Sequence, residues 1–324
     1  MKPENRSALV QHMRLWIRKH GIPSSATFII GVSAGVDSMV LAETCHRAGL
    51  NVEIAHVNYG LRGEESDLDE VLVKAWCEMK GVPFHLHRPN FIAGDDGIQS
   101  SARRERFAFF ERIRSEIATT TGNLVLIATA HHADDQAETI LLQLIRAADP
   151  LALAGIVEWD AKRCIARPFL SFSKEDLTHH AIEWELEHRN DASNEKTDYL
   201  RNRIRLQGLP LLESIREGSS VHLAHWAKRF QPLAAFIQLE LDTAKDRCWT
   251  EEPNEGILNL ALWQKEPLKM ELLHRLALKH GISAKAVSSI EALTLEGVES
   301  GAKFSTNQAE IVRIRGELRW VTLT

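Results

Sequence analysis

Apolar and polar positions alternate in two registers along this chain. Short apolar runs at 28–32, 51–58, 82–87 and 124–130 have the length and composition of buried strands. Between them, amphipathic segments at 39–48, 67–80, 99–117 and 133–147 repeat at helical spacing. Strands alternating with helices of this length predict βαβ units and a doubly wound, mostly parallel sheet. Past residue 215 the alternation stops. A long helical pattern covers 221–246, and further helices are expected over 266–280 and 284–295. Strands follow over 302–305, 310–314 and 318–323, with a Gly316-Glu317 turn between the last two. The expected organisation is an α/β domain over 1–215 and a smaller helical plus β-hairpin domain over 216–324, joined near Gly218-Ser219-Ser220.

Composition narrows the class. A chain of 324 residues can bury a large core. No apolar run approaches the ~18 residues of a membrane span, and the N-terminus lacks the apolar stretch of a secretion signal. A soluble, cytoplasmic protein with no membrane partner is expected. The four cysteines, Cys45, Cys77, Cys164 and Cys248, lie far apart and form no CxxC pair, which argues against zinc, an iron–sulfur cluster or a redox dithiol. A net charge of −5 requires that any nucleic-acid surface be a local basic patch.

Candidate chemistry gathers where strands are expected to end. FIIGVSAGVDS runs from strand into helix through Ser33-Ala34-Gly35-Val36-Asp37-Ser38. Such a turn points free backbone N–H groups outward at the positive end of a helix dipole, which suits phosphate. Gly35 permits close backbone approach, and Ser33 and Ser38 add hydroxyls. Asp37 makes sense beside phosphate if a divalent cation lies between them. No Walker A or GxGxxG pattern is present. Ala34 is expected to need only a small side chain there. The second strand ends in His56, Asn58 and Arg62. The acidic run 64–70 reads as a helix start capped by Ser66. The fourth strand ends in His131-His132-Ala133-Asp134-Asp135-Gln136-Ala137-Glu138, more charge than a cap needs. Ligands of doubly wound sheets bind beyond the carboxyl ends of the strands. One composite site is therefore expected, with His131 and Asp135 facing its ligand and Asp134 and Glu138 nearer a second substrate or the cap.

Two arginine groups complete the inventory. Arg103, Arg104 and Arg106 open a helix, and Arg201, Arg203 and Arg205 follow Tyr199-Leu200 without an acidic neighbour until Glu213. Guanidinium forks match phosphate oxygens and favour a polyanion. Lys303, Arg313, Arg315 and Arg319 sit at odd spacing, which predicts one basic face on the C-terminal strands.

The SAGVDS loop resembles the SGGxDS pyrophosphate loop of N-type ATP pyrophosphatases, with Ala34 where glycine is usual. HVNYGLRGEESDLDE, SARRERF, IATAHHADDQAETILLQLIR and WELEHRNDASNEKTDYLRNRIR follow it in order. Together, over about 27–216, they resemble the tRNA(Ile)-lysidine synthetase family. Tyr59 stands where that family frequently has histidine. The resemblance implies an ATP-dependent carbon–nitrogen ligase that adenylates the wobble cytidine of a tRNA(Ile) with a CAU anticodon. Free L-lysine then displaces AMP. It implies ATP contacts from residues 33 to 38, His56, Asn58 and His131. Catalytic roles fall to Asp37, His131, Asp134, Asp135, Arg201 and Arg205. Asp37 and Asp135 either hold Mg²⁺ or recognise the substrate ammonium. Arg103, Arg104, Arg106, Arg203, Arg313, Arg315 and Arg319 are expected to contact tRNA, and a homodimer is left open. Two alternatives stand beside it: a 2-thiolase of the same superfamily, and a non-catalytic RNA-binding relative with a loop weakened by Ala34.

Overall fold

The computed structural model describes residues 7–89, 98–189, 200–252 and 255–323, in two compact units, Met1–Gln231 and Pro232–Thr324. In the first, α1 (Ala8–Lys19) leads into β1 (Thr27–Gly31) and α2 (Val36–Ala48). Next come β2 (Asn51–Val57), α3 (Glu64–Lys80), β3 (Phe84–His87), α4 (Ile98–Thr121), β4 (Val125–Ala128) and α5 (Ala133–Ile145). A small hairpin, β5 (Trp159–Asp160) and β6 (Ile165–Ala166), precedes α6 (Lys174–Glu183). The sheet order is β3-β2-β1-β4-β6-β5, parallel except at β5.

The two faces of the sheet follow from period-2 alternation. Phe28, Ile30, Leu126 and Ala128 pack with Met13, Trp16, Leu41 and Trp76 on one side. Ile29, Val125, Ile127 and Ile165 meet Phe109, Phe110 and Ile113 of α4 on the other. Gly31 is set by that packing, because a Cβ there would lie 2.6 Å from the Phe110 ring. The amphipathic helix α1 and the β5–β6 hairpin were not expected from the pattern. The hairpin has only two residues per strand, too few to show a period.

The chain continues through α7 (Leu200–Arg203), one π-helical turn (Ile204–Gly208), α8 (Leu209–Ile215) and α9 (Ser219–Cys248). The unit boundary falls within α9 at Pro232, later in the chain than the expected junction. The second unit holds β7 (Trp249–Glu251), β8 (Glu255–Asn259), α10 (Leu260–Trp263), α11 (Lys269–Lys279) and α12 (Val287–Ala292). It ends with β9 (Lys303–Ser305), β10 (Ala309–Ile314) and β11 (Glu317–Thr322). Its antiparallel order is β7-β8-β11-β10-β9, five strands where three were expected. The final turn is Arg315-Gly316, because Ile314 pairs with Glu317. Arg315 itself takes φ +54°.

The register overturns the expected single basic face. Arg319 sits opposite Val312, whereas Arg313 sits opposite the fully buried Leu318. Directly opposed residues share a face, so Arg313 and Arg319 point to opposite sides. Lys303, opposite Val312, shares the side of Arg319. Arg313 bonds to the carbonyls of Leu293 and Leu295, while Arg319 lies beside Glu255 and Glu317.

Candidate active site

The loop after β1 is tied to the start of α2. The Ser33 N–H donates to Ser38 Oγ at 3.1 Å, and that hydroxyl donates to the Gly35 carbonyl at 2.9 Å. Helix α2 opens at Val36 with Asp37 in its first turn, so its free N–H groups face the loop. At Gly35 a Cβ would meet only Ser33 Oγ, at 3.4 Å. Ala34 departs from expectation. It is fully buried with φ +67°, so the position calls for left-handed backbone and not smallness alone. Alanine there costs about 1 kcal/mol. The Ala34 carbonyl accepts the Arg189 N–H at 2.9 Å. The Arg189 side chain is held in turn by Asp69 at 2.8 Å and by Glu65.

The N-terminus of α5 lies beside this loop. His132 Nε2 is 3.7 Å from Asp37 Oδ2 and 3.4 Å from Asp135 Oδ2, and Nδ1 is 3.8 Å from Asp134. Burial disfavours charge on this imidazole, but the three carboxylates, Asp135 foremost, push its pKa up to about 10. Burial would likewise raise Asp135, yet the His132 and His131 rings, the His132 N–H and Arg205 hold it below the usual carboxylate range. His131 differs from its neighbour. Burial and the nearby Arg167, Arg103 and Arg106 outweigh Asp135 and press its pKa down to about 4. Its Nδ1 is 2.8 Å from Thr129 Oγ1. The sequence did not single out His132, though the doubled histidine before two aspartates was its signal.

Arg201 and Arg205 flank the start of the π-helical turn and converge on Glu138 of α5. Arg201 Nε donates to it at 2.8 Å and Arg205 Nε at 2.5 Å, while both guanidiniums reach Asp135 at 3.4 and 3.2 Å. Glu138 is fully buried. The absence of acidic residues nearby in sequence therefore misled, because the partners arrive from α5. A π-turn of this kind shifts side-chain register and recurs at functional sites.

A cavity of about 250 Å³ opens between these elements. Ser33, Gly35, Asp37 and Ser38 line it with Thr129, His131 and Asp135, and Tyr59, Arg106 and Phe110 close it from the α4 side. All three strand ends expected to converge line this cavity, but the second contributes Val57 and Tyr59. His56 and Asn58 do not line it. His56 Nδ1 bonds to the Val32 carbonyl at 2.8 Å, beneath the loop. Asn58 donates to Asp67 and Glu70 and accepts the Gly60 N–H, organising its own turn. Ser66 does not cap α3. That helix starts at Glu64, and Ser66 Oγ accepts the Arg62 N–H. Arg106, expected at an RNA surface, lines the cavity. Arg104 bonds to Ser101, and Arg203 is exposed on α7. Residues 190–199 of the WELEHRNDASNEKTDYLRNRIR segment, Tyr199 included, lie outside the described residues.

Comparison with known proteins decides the family. A model of the PP-loop domain matches residues 8–212. The tRNA(Ile)-lysidine synthase of Bacteroides thetaiotaomicron is 31% identical over 302 residues, covering 91% of this chain and 67% of that protein. This chain belongs to the tRNA(Ile)-lysidine synthase family of PP-loop proteins. The Bacillus subtilis member is 37% identical over 229 residues, covering 68% of the chain and 46% of that protein. The Parabacteroides distasonis member is 29% identical, covering 97% and 70%. The chain thus spans about two thirds of two of these synthases and under half of the third. Among solved structures, a U34-tRNA thiolase from Methanococcus maripaludis aligns with TM-score 0.53 at 19% identity, covering 69% of this chain and 78% of that one. That likeness concerns the fold. Members of the lysidine synthase family are ATP-dependent ligases, and membership favours the ligase over the thiolase and non-catalytic alternatives. Among the described residues no helix is long and apolar enough to cross a membrane.

Proposed function

We propose that this chain uses ATP to activate the C2 carbonyl oxygen of the wobble cytidine in a tRNA(Ile) bearing CAU, and then joins lysine to that carbon. In the first half-reaction the cytidine O2 bonds to the α-phosphorus and pyrophosphate leaves. In the second, the lysine ε-amine bonds to C2, the C2–O2 bond breaks, and AMP departs with that oxygen. The observation carrying this reading is the convergence of the phosphate-type loop and the α5 N-terminus on one cavity, in a chain of this family.

The residues have separable tasks. Backbone N–H groups from 33 to 38 and the α2 dipole suit the charge that develops on the departing pyrophosphate. Arg106 at the cavity wall adds a permanent cation. His131 is neutral at neutral pH and serves as a hydrogen-bonding group, since a pKa near 4 is poorly matched to a base at pH 7. The attacking amine must shed protons, and Asp37, Asp134 and Asp135 supply acceptors around it. Glu138 is less suited to an incoming ammonium, because both its oxygens already accept from arginines.

Asp37 also fits Mg²⁺. Its Oδ1 is buried and has no hydrogen-bond partner among the described residues. No cluster of three or more metal-ligating side chains occurs among them, so phosphate oxygens and water would complete the shell around Asp37 and Asp135. Bound there, the cation would neutralise phosphate charge. For tRNA, the exposed Arg315 turn and Arg319 remain candidates on the second unit. The experiment that tests the reading measures AMP and pyrophosphate release with tRNA(Ile) bearing CAU, with and without lysine. Lysine-dependent AMP release is expected, and ATP consumption without lysidine formation would overturn it.

A further inference from the structure

The helix α4 carries a basic stripe that continues beyond the cavity. Arg103, Phe107 and Arg114 follow one another at spacings of four and seven residues, which places them along one helix face. The Arg103 guanidinium lies 5.0 Å over the Phe107 ring, and Arg106 lies 5.9 Å from the same ring while lining the cavity. At the other end a groove of about 400 Å³ opens between α4 and the β5–β6 hairpin. Phe107, Arg114, Lys162 and Arg163 are among the residues that line it.

This stripe carries more positive charge than its surroundings balance. The carboxylates nearby are Asp160, which accepts the Arg163 backbone N–H, Glu111, which is taken by Arg114, and Glu105 beside Arg106, which is taken by His87. Arg167 is buried, donates to the Val157 carbonyl, and leaves Nε without a partner. Like charges meet here: burial and the guanidiniums of Arg106, Arg201 and Arg163 all act against the charge of Arg103. Lys162 and Arg163 are exposed between the two strands of the hairpin, whose Ile165 and Ala166 are buried in the core. Clustered cations with a short supply of counter-charge are costly unless a polyanion joins them. An aromatic ring among the arginines further suits nucleic acid, which offers both phosphates and base faces.

We propose that the β5–β6 hairpin, through Lys162 and Arg163, forms with the Arg103–Arg114 face of α4 a phosphate-backbone track that guides the RNA substrate to the cavity mouth at Arg106. This rests on the reading that the substrate is a tRNA, and it assigns the hairpin a docking role that the catalytic motifs do not include.

The test uses the full chain and a tRNA(Ile) transcript bearing CAU. The double variant Lys162→Glu/Arg163→Glu reverses two exposed charges far from the loop that holds Asp37 in sequence. A control, Arg18→Glu/Lys74→Glu, makes the same change in net charge at exposed positions on α1 and α3. We expect the hairpin variant to bind tRNA about tenfold or more weakly at low salt, with a salt slope smaller by about one to two counterions. ATP binding and thermal midpoint should match the control. Lys162→Arg/Arg163→Lys, which keeps the charge, should bind as the wild type does. Equal tRNA affinity and salt slope in hairpin variant and control would overturn the track. Failure of the wild type to make lysidine would instead overturn the function, and the binding comparison would still decide the track.

Discussion

His132, at the N-cap of α5, stands 3.7 Å from Asp37 in the first turn of α2. One imidazolium thus sits between the carboxylates of two strand ends and permits three acidic groups to share a small volume. Replacing it with alanine should leave Asp37, Asp134 and Asp135 facing one another. We expect His132→Ala to destabilise the protein by about 3 kcal/mol, read as a lowered midpoint in urea. Unchanged stability would show that the carboxylates are balanced by other groups.

The two histidines predict opposite dependences on pH. The folded pKa of His132, about 10, lies above its ordinary value of 6.5, so its contribution is complete below about 6.5 and is lost as pH rises through about 10. His131 is depressed to about 4, so the unfolded chain binds its proton first and stability falls as pH drops from about 6.5 to 4. Denaturation midpoints measured across pH should flatten at the alkaline end in His132→Gln and at the acid end in His131→Gln.

Asp37→Asn removes one charge with little change in volume. AMP formation should fall to background while the circular dichroism spectrum and melting midpoint stay close to those of the wild type. Near-normal turnover would remove Asp37 from the chemistry.

Ala34→Gly should relieve the left-handed strain at φ +67°. Part of that gain is offset by the added freedom of glycine in the unfolded chain, leaving a net stabilisation of about 0.5 kcal/mol. Activity should change only modestly, since the loop already holds its conformation. A rise of orders of magnitude would identify Ala34 as the residue that limits turnover.

Arg205→Ala and the double reversal Arg315→Glu/Arg319→Glu separate chemistry from docking. The first removes a partner from the buried Glu138 and should cost about 3 kcal/mol of stability as well as impair ATP use. Reversal of Arg315 and Arg319 should raise the Michaelis constant for tRNA more than that for ATP. Identical constants would take the second unit out of the docking surface.

Much of this was legible in the sequence. Apolar runs with period-2 faces gave the parallel sheet, and the doubled charges at 131–138 fall where a cavity opens, lined by His131 and Asp135. Short or non-local features were hidden. β7 has only three residues, too few to show a period. The pairing of Arg201 and Arg205 with Glu138 spans more than sixty residues, so neighbouring sequence could not reveal that these cations are already engaged. The opposed faces of Arg313 and Arg319 depended on register, which a spacing count across a turn misjudges by one residue.

The bond from the Arg189 N–H to the Ala34 carbonyl has a consequence for the order in which the protein matures. Every strand of the first sheet is synthesised by residue 166, yet the donor that fixes the loop after β1 comes later. A nascent chain stalled before residue 189 can complete its sheet and still lack the clamp on its first turn. The pocket is therefore finished only after the sheet that carries it, and before the second unit is made.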